Sequence, residues 1–335
     1  MYVTATASSP PPGAAEATVF QWLRLPATRP ASPRVWVWLA VLVLAAWLGS
    51  TAFVGAYRPT QVTRLLEALV PGRTMYGLAC LLAVVIALGA ARAARHELVG
   101  AAAIVAAFLA GHLVYAAIYP FLPGRVRVPF DVPADWAGFA AFRLGYAASI
   151  LAVCLPVWWL VVARRHAARA TLRFGWGDWS VRGRDLSARS RSESWARRIV
   201  TGYLGFTVVI FFVMQANVGF APLRSPATPG FLPAVVAAAL ANAVAEELVF
   251  RGVLQPAFVR FGGLAAGIWM QGLLFGLVHW GNSVGVLAAL PVSLMIGLGS
   301  VVWGKAAVET AGLGWVIIAH AMLDVGVMTA FFVPA

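Results

Sequence analysis

The chain has 335 residues, of which 61% are hydrophobic and only 11% charged, against roughly 25% charged residues in soluble domains. This excludes an ordinary water-soluble fold and points to an all-α, polytopic transmembrane bundle, because in lipid the backbone polar groups must find partners within the segment itself. A net charge of +13 could serve nucleic-acid binding, but the basic residues lie between apolar runs, as loops beside an anionic leaflet require, so no nucleic-acid partner is expected.

Residues 1–33 are rich in Ala, Pro, Ser and Thr, with Pro10, Pro11 and Pro12 in a row, and read as a disordered tail. The first long apolar run begins only at Val35, too late for a cleavable signal. A helix needs about 20 apolar residues to cross a hydrocarbon core about 30 Å thick. The runs that approach or exceed this are 35–57, 74–91, 98–119, 144–163, 199–219, 232–258, 264–280, 284–303 and 313–333. They predict nine spans, with eight as the alternative. The chain then divides into the tail, N-terminal transmembrane helices over 34–163, a basic loop over 164–198 and a C-terminal transmembrane domain over 199–335. Cys80 and Cys154 sit inside apolar runs and read as packing residues, not as a disulfide.

The loop 164–198 carries ten arginines against Asp178, Asp185 and Glu193, so the positive-inside rule places it in the cytoplasm. The N-terminus shares that side and the chain is expected in the plasma membrane, crossing it many times. Anionic lipid is the partner expected at this loop.

Charged residues inside apolar spans cost a few kcal/mol each on insertion scales and by default mark function or an internal pair. Three of the 12 acids are of this kind: Glu246 and Glu247 in Ala-Glu-Glu-Leu-Val-Phe-Arg-Gly, and Asp324 in His-Ala-Met-Leu-Asp. Glu247 and Arg251 are four apart and share a helical face, while Glu246 points about 100° away. One glutamate is then neutralised by Arg251 and the other faces a cavity. The run around His279 follows a turn at Gly262-Gly263, and residues 246 and 279 are equally distant from it, so Glu246 and His279 should meet across an antiparallel hairpin. His320 and Asp324, again four apart, present an imidazole and a carboxyl on a common face. Taken singly, each element reads as an interhelical contact; together they form a plausible hydrolytic set. His112 has no acidic neighbour in sequence and reads as a packing or hydrogen-bonding residue, whereas His96 and His166 lie beside loop arginines.

At these residues the sequence resembles the family of CAAX prenyl endopeptidases and bacteriocin-processing enzymes (CPBP), polytopic intramembrane proteases with three short motifs. E-E-x-x-x-R is met by Glu246 to Arg251, F-x-x-x-H by Phe275 to His279, and H-x-x-x-[N/D] by His320 to Asp324. The resemblance covers about residues 230–333. It implies an intramembrane endopeptidase acting on a membrane-embedded or lipidated protein or peptide, in which Glu246 and His279 activate water. His320 and Asp324 would stabilise the oxyanion, and Glu247 with Arg251 would support them. One position departs from the more useful option: an asparagine could donate a hydrogen bond to an oxyanion, and an ionised Asp324 cannot. The resemblance implies either a metal-free glutamate mechanism, the reading preferred here with no cofactor, or a zinc site whose ligands would be Glu246, His279 and His320. H-E-x-x-H, which would pair two zinc ligands on one helical turn, is absent. A proton-coupled transporter or a catalytically silent membrane scaffold would use the same buried charges, although no internal repeat supports a transporter.

Overall fold

A computed structural model describes residues 32–57, 99–118, 136–158, 175–181, 194–198, 203–217, 219–225, 228–279 and 286–332, together with positions 85, 89 and 201. The tail, most of the run 74–91 and most of the basic loop lie outside the described residues. Within them the chain is helical and holds no β-strand. The longer helices are α1 (Pro33–Tyr57), α2 (Val99–Ile118), α3 (Trp136–Trp158), α4 (Leu204–Asn217), α5 (Thr228–Glu247), α6 (Gln255–Gly262), α7 (Leu264–Val278), α8 (Val286–Thr310) and α9 (Gly314–Phe332). A π-helical segment, Leu248–Leu254, joins α5 to α6. By length and composition, Pro33–Ser50, Thr228–Val259 and Leu290–Thr310 can each cross a membrane, and α2, α3, α4, α7 and α9 are shorter apolar helices. The architecture is an all-α membrane bundle.

The outward-facing side chains agree with that solvent. Val208, Val209 and Phe212 of α4, Leu232, Val236 and Leu240 of α5, and Leu294, Leu298 and Val302 of α8 are all exposed. Such apolar stripes would be a liability in water and are what a lipid-facing helix presents. The inward residues of α5 are small, with Ala238, Ala239, Ala243 and Ala245 fully buried. Small side chains let backbones approach closely, which is how helices associate when lipid removes the hydrophobic drive. α3 and α9 accordingly flank α5, while α1 lies against α2 and α7.

The helical run from Thr228 ends at Gly263, whose φ of 86° is open to glycine and strained for other residues. α7 then returns along α6, making the hairpin that the glycine pair predicts. α7 and α8 cross at Gly272 and Gly276, which face Gly297. A Cβ on Gly276 would strike the Ser293 carbonyl oxygen and sit 3.0 Å from the Gly297 Cα. This is a small-xxx-small crossing.

One helix boundary bears on function. α3 begins at Trp136 rather than at residue 144, and so takes Arg143 inside the bundle. The described part of the basic segment is also not a free loop. The Gly175 carbonyl accepts from the Leu313 amide at 2.9 Å and from Gly314 at 3.1 Å, and the Asp178 amide donates to the Thr310 carbonyl at 2.7 Å. Trp179 lies on Trp315 with ring centroids 3.9 Å apart. The amide and hydroxyl of Ser180 bond the Asp178 carboxylate and hold that group below its ordinary range. Further along, the Trp195 indole donates to Glu309 at 2.8 Å, and Glu309 also pairs with Lys305 one turn earlier. The segment is thereby fastened to the turn between α8 and α9.

Candidate active site

Glu247 is fully buried and its Oε1 is the hub of the site. It accepts from Arg251 Nη1 at 2.8 Å and from His320 Nδ1 at 2.8 Å. The first contact follows from the four-residue spacing; the second joins α5 to α9. Arg251 reaches α8 with its other arm, donating to Ser300 Oγ at 2.7 Å, and Gln271 of α7 donates to the same oxygen at 2.8 Å. The guanidinium lies over the Phe275 ring, 4.3 Å from its centroid. Arg251 is therefore clamped by charge, hydroxyl and π-face together, a setting that suits the planar guanidinium better than an ammonium.

The π-helical segment helps to place Arg251. Every residue from Val249 to Leu254 is buried, because this stretch meets α2, α3, α6 and α7. π-Bulges are frequent at functional sites. This one separates the two glutamates from α6.

Glu246 points to another side, as the 100° step requires. Its Oε1 accepts from Arg143 Nη2 of α3, a partner that the sequence reading did not assign. Arg251 neutralises Glu247, as their spacing predicts, and Glu246, expected to face a cavity, has an arginine of its own. The Oε2 of Glu246 remains buried with no hydrogen-bond donor among the described residues. His320 Nε2 is 3.5 Å from this oxygen and 3.6 Å from Asp324 Oδ1, too far for strong direct hydrogen bonds.

Both histidines have their tautomers set by an acceptor. His279 Nδ1 lies 2.7 Å from the Phe275 carbonyl, which can only accept, so Nδ1 carries the proton and Nε2 is the basic nitrogen. The same logic applied to Glu247 puts the proton of His320 on Nδ1. His279 and Glu246 interact electrostatically. Among the described residues they share no direct hydrogen bond, so the hairpin brings them near without joining them. Trp303 of α8 flanks His320, with ring centroids 4.6 Å apart. Asp324 is held by Asn242, whose Nδ2 donates to Oδ2 at 2.8 Å.

The sequence-predicted residues Glu246, Glu247, Arg251, His279, His320 and Asp324 thus occupy one region. Arg143, Asn242, Gln271, Ser300 and Trp303 join them and were not assigned beforehand. An arginine within an apolar helix was the available signal for Arg143, and it was missed because the span was drawn from Leu144. His112 makes the hydrogen bonds expected of it: its Nδ1 donates to the Phe108 carbonyl at 2.8 Å, and its Nε2 accepts from Tyr146 at 2.9 Å.

Zinc would need three or more donors converging at metal-ligand spacing. Among the described residues no group of three His, Cys, Asp or Glu side chains is arranged to hold an ion.

No curated protein and no solved structure matches the chain. A family model does match, over residues 228–326, and its description is Type II CAAX prenyl endopeptidase Rce1-like. It begins with α5 and ends in α9, taking in the two glutamates, Arg251, both histidines and Asp324. With the matched segment and the clustered charges in the same place, residues 228–326 are similar to the Rce1-like type II CAAX prenyl endopeptidase family, consistent with an intramembrane protease of the CPBP kind.

Proposed function

We propose that the chain is an intramembrane endopeptidase that hydrolyses a peptide bond in a prenylated, CAAX-type or otherwise membrane-associated protein. The observation that carries this reading is Glu246 Oε2, a buried carboxylate oxygen with no hydrogen-bond donor among the described residues, set beside His320 and electrostatically coupled to His279. A general base needs an accepting atom within reach of the water that it deprotonates.

In the proposed reaction, Glu246 takes a proton from water that His279 Nε2 orients. The water oxygen bonds to the peptide carbonyl carbon and the π pair moves to the carbonyl oxygen. Collapse of this intermediate breaks the C–N bond, and Glu246 returns the proton to the leaving amine. Glu247 and Arg251 fix His320 and hold α5, α8 and α9 in register. No step uses a metal.

The test is an internally quenched peptide bearing an S-farnesylated cysteine followed by three residues, presented to purified protein in liposomes. Wild-type protein should cleave it after the modified cysteine. Glu246→Ala, His279→Ala and the double variant should lose activity to the same extent, since residues acting as a unit are non-additive. Full activity in either single variant would remove that residue from the mechanism. Cleavage should also survive exhaustive chelation; activity that vanishes and returns with zinc would replace the glutamate-base chemistry by metal-activated water.

A further inference from the structure

We infer that Arg143, contributed by the N-terminal helices, stabilises the oxyanion of this reaction. The inference rests on the endopeptidase reading above. It begins from Asp324. Of its two oxygens, Oδ2 accepts from Asn242 and Oδ1 lies 3.6 Å from His320 Nε2. When ionised, Asp324 offers only lone pairs, and the last position of the H-x-x-x-[N/D] motif then gives no donor to a developing negative charge. The tautomer that gives His320 Nδ1 to Glu247 leaves Nε2 an acceptor in the neutral ring, so the role is open to an N–H from another helix.

Arg143 fits that need by position and by unused capacity. Its Nη2 bonds Glu246 Oε1, which sets the guanidinium beside the oxygen that would deprotonate water. The neighbouring donor on the same edge, Nε, is buried with no hydrogen-bond partner among the described residues, so an N–H stands unused on the side of Arg143 that faces Glu246. An unsatisfied N–H at a buried site is costly unless a ligand takes it up. The side chain keeps 19% exposure, so it is open to a ligand where the fully enclosed Arg251 is not. Tyr146, one turn along α3, lies under the guanidinium at 5.5 Å from its ring centroid and is itself bonded to the buried His112. That aromatic and imidazole pair holds Arg143 in place. A donor fixed in advance where charge develops is the arrangement that catalysis rewards most.

A second role for an arginine here would be to bind the free C-terminal carboxylate of a CAAX-type substrate. That carboxylate lies three residues past the scissile bond, about 10 Å along an extended chain. Arg143 touches the base itself. The geometry therefore favours the scissile carbonyl: as water oxygen bonds to carbon, the electron pair shifted to the carbonyl oxygen meets the unpartnered Nε–H of the guanidinium. When the C–N bond breaks, that pair returns to the C=O bond and the product carboxyl leaves Arg143.

The experiment uses the same farnesylated peptide and liposomes with Arg143→Lys and Arg143→Met. Lysine keeps the charge opposite Glu246, and with it the fold, but loses the planar fork. Its kcat should fall by about 10-fold or more, with KM within about twofold. Arg143→Met should lose about 10²–10³-fold in kcat, the range for removing an oxyanion donor, and recover part of it in millimolar guanidinium ion. A merely structural arginine would give neither the kcat-only loss in folded Arg143→Lys nor the rescue. Wild-type kcat in Arg143→Lys, or a loss confined to KM, overturns the assignment even if Arg143→Met fails to fold. Glu246→Gln run in parallel separates the two claims. If it is inactive while the Arg143 variants are fully active, only this inference fails; if it cleaves normally, the hydrolytic reading fails and this falls with it.

Discussion

Glu247 and Glu246 are adjacent in sequence and differ in what their loss would do. Glu247 holds both Arg251 and His320, and neither it nor Arg251 has any side-chain exposure. Removing one partner from a buried ion pair costs about 3–5 kcal/mol, because the other charge is left in low dielectric. Glu247→Gln should therefore lower thermal stability in detergent by several degrees. Glu246→Gln should abolish cleavage with a smaller loss of stability, since Arg143 stays partly exposed. Equal stability of the two variants would contradict this division. The pairs within one helix could be read from the sequence, because helical geometry fixes what stands four residues away. Arg143–Glu246, Asn242–Asp324 and Arg251–Ser300 could not: they join positions 103, 82 and 49 residues apart, and only the packing of helices brings them together.

The elements of the matched segment are held by two devices, a reversal at Gly263 and the close crossing of α7 with α8. The reversal was visible as a glycine pair between two apolar runs. The crossing was less visible, because Gly272, Gly276 and Gly297 look like ordinary membrane-helix glycines until the facing helix is known. Its consequence can be measured. In Gly276→Val the new side chain meets the Ser293 carbonyl and the Gly297 backbone, and backbone cannot swing aside as a long side chain can. Overpacking of this kind costs about 1–3 kcal/mol. α7 carries His279 and α8 carries Trp303 and Ser300, so activity should fall with stability. A variant that unfolds at the wild-type temperature would show that the crossing tolerates the added volume. The π-helical segment had no sequence signal, since Leu-Val-Phe-Arg-Gly-Val-Leu suits an ordinary helix equally well.

At the scale of the whole molecule, the basic segment and the α8–α9 turn must share a side of the membrane, because Gly175 and Asp178 bond to Leu313, Gly314 and Thr310. The four spans expected between loop 164–198 and that turn also return the chain to the side from which it left, as these bonds require. In a variant lacking Cys80 and Cys154, a cysteine introduced at the exposed Ser180 should stay unlabelled by an impermeant thiol reagent in intact cells and react once the membrane is opened. Ready labelling of intact cells would invert the proposed orientation.

The distance in sequence between Arg143 and Glu246 bears on how the protein is made. Synthesis runs from the N-terminus, so α3 is in place before α5 emerges. Glu247 brings its own counter-charge four residues later, but Glu246 enters the bilayer without one on its helix. The earlier helices thus act as a docking template, holding a cation ready for the acid that follows. A chain cut before α5 would strand an arginine in lipid, and one begun after α3 would strand a glutamate. The two halves are bound to each other by biogenesis as well as by catalysis.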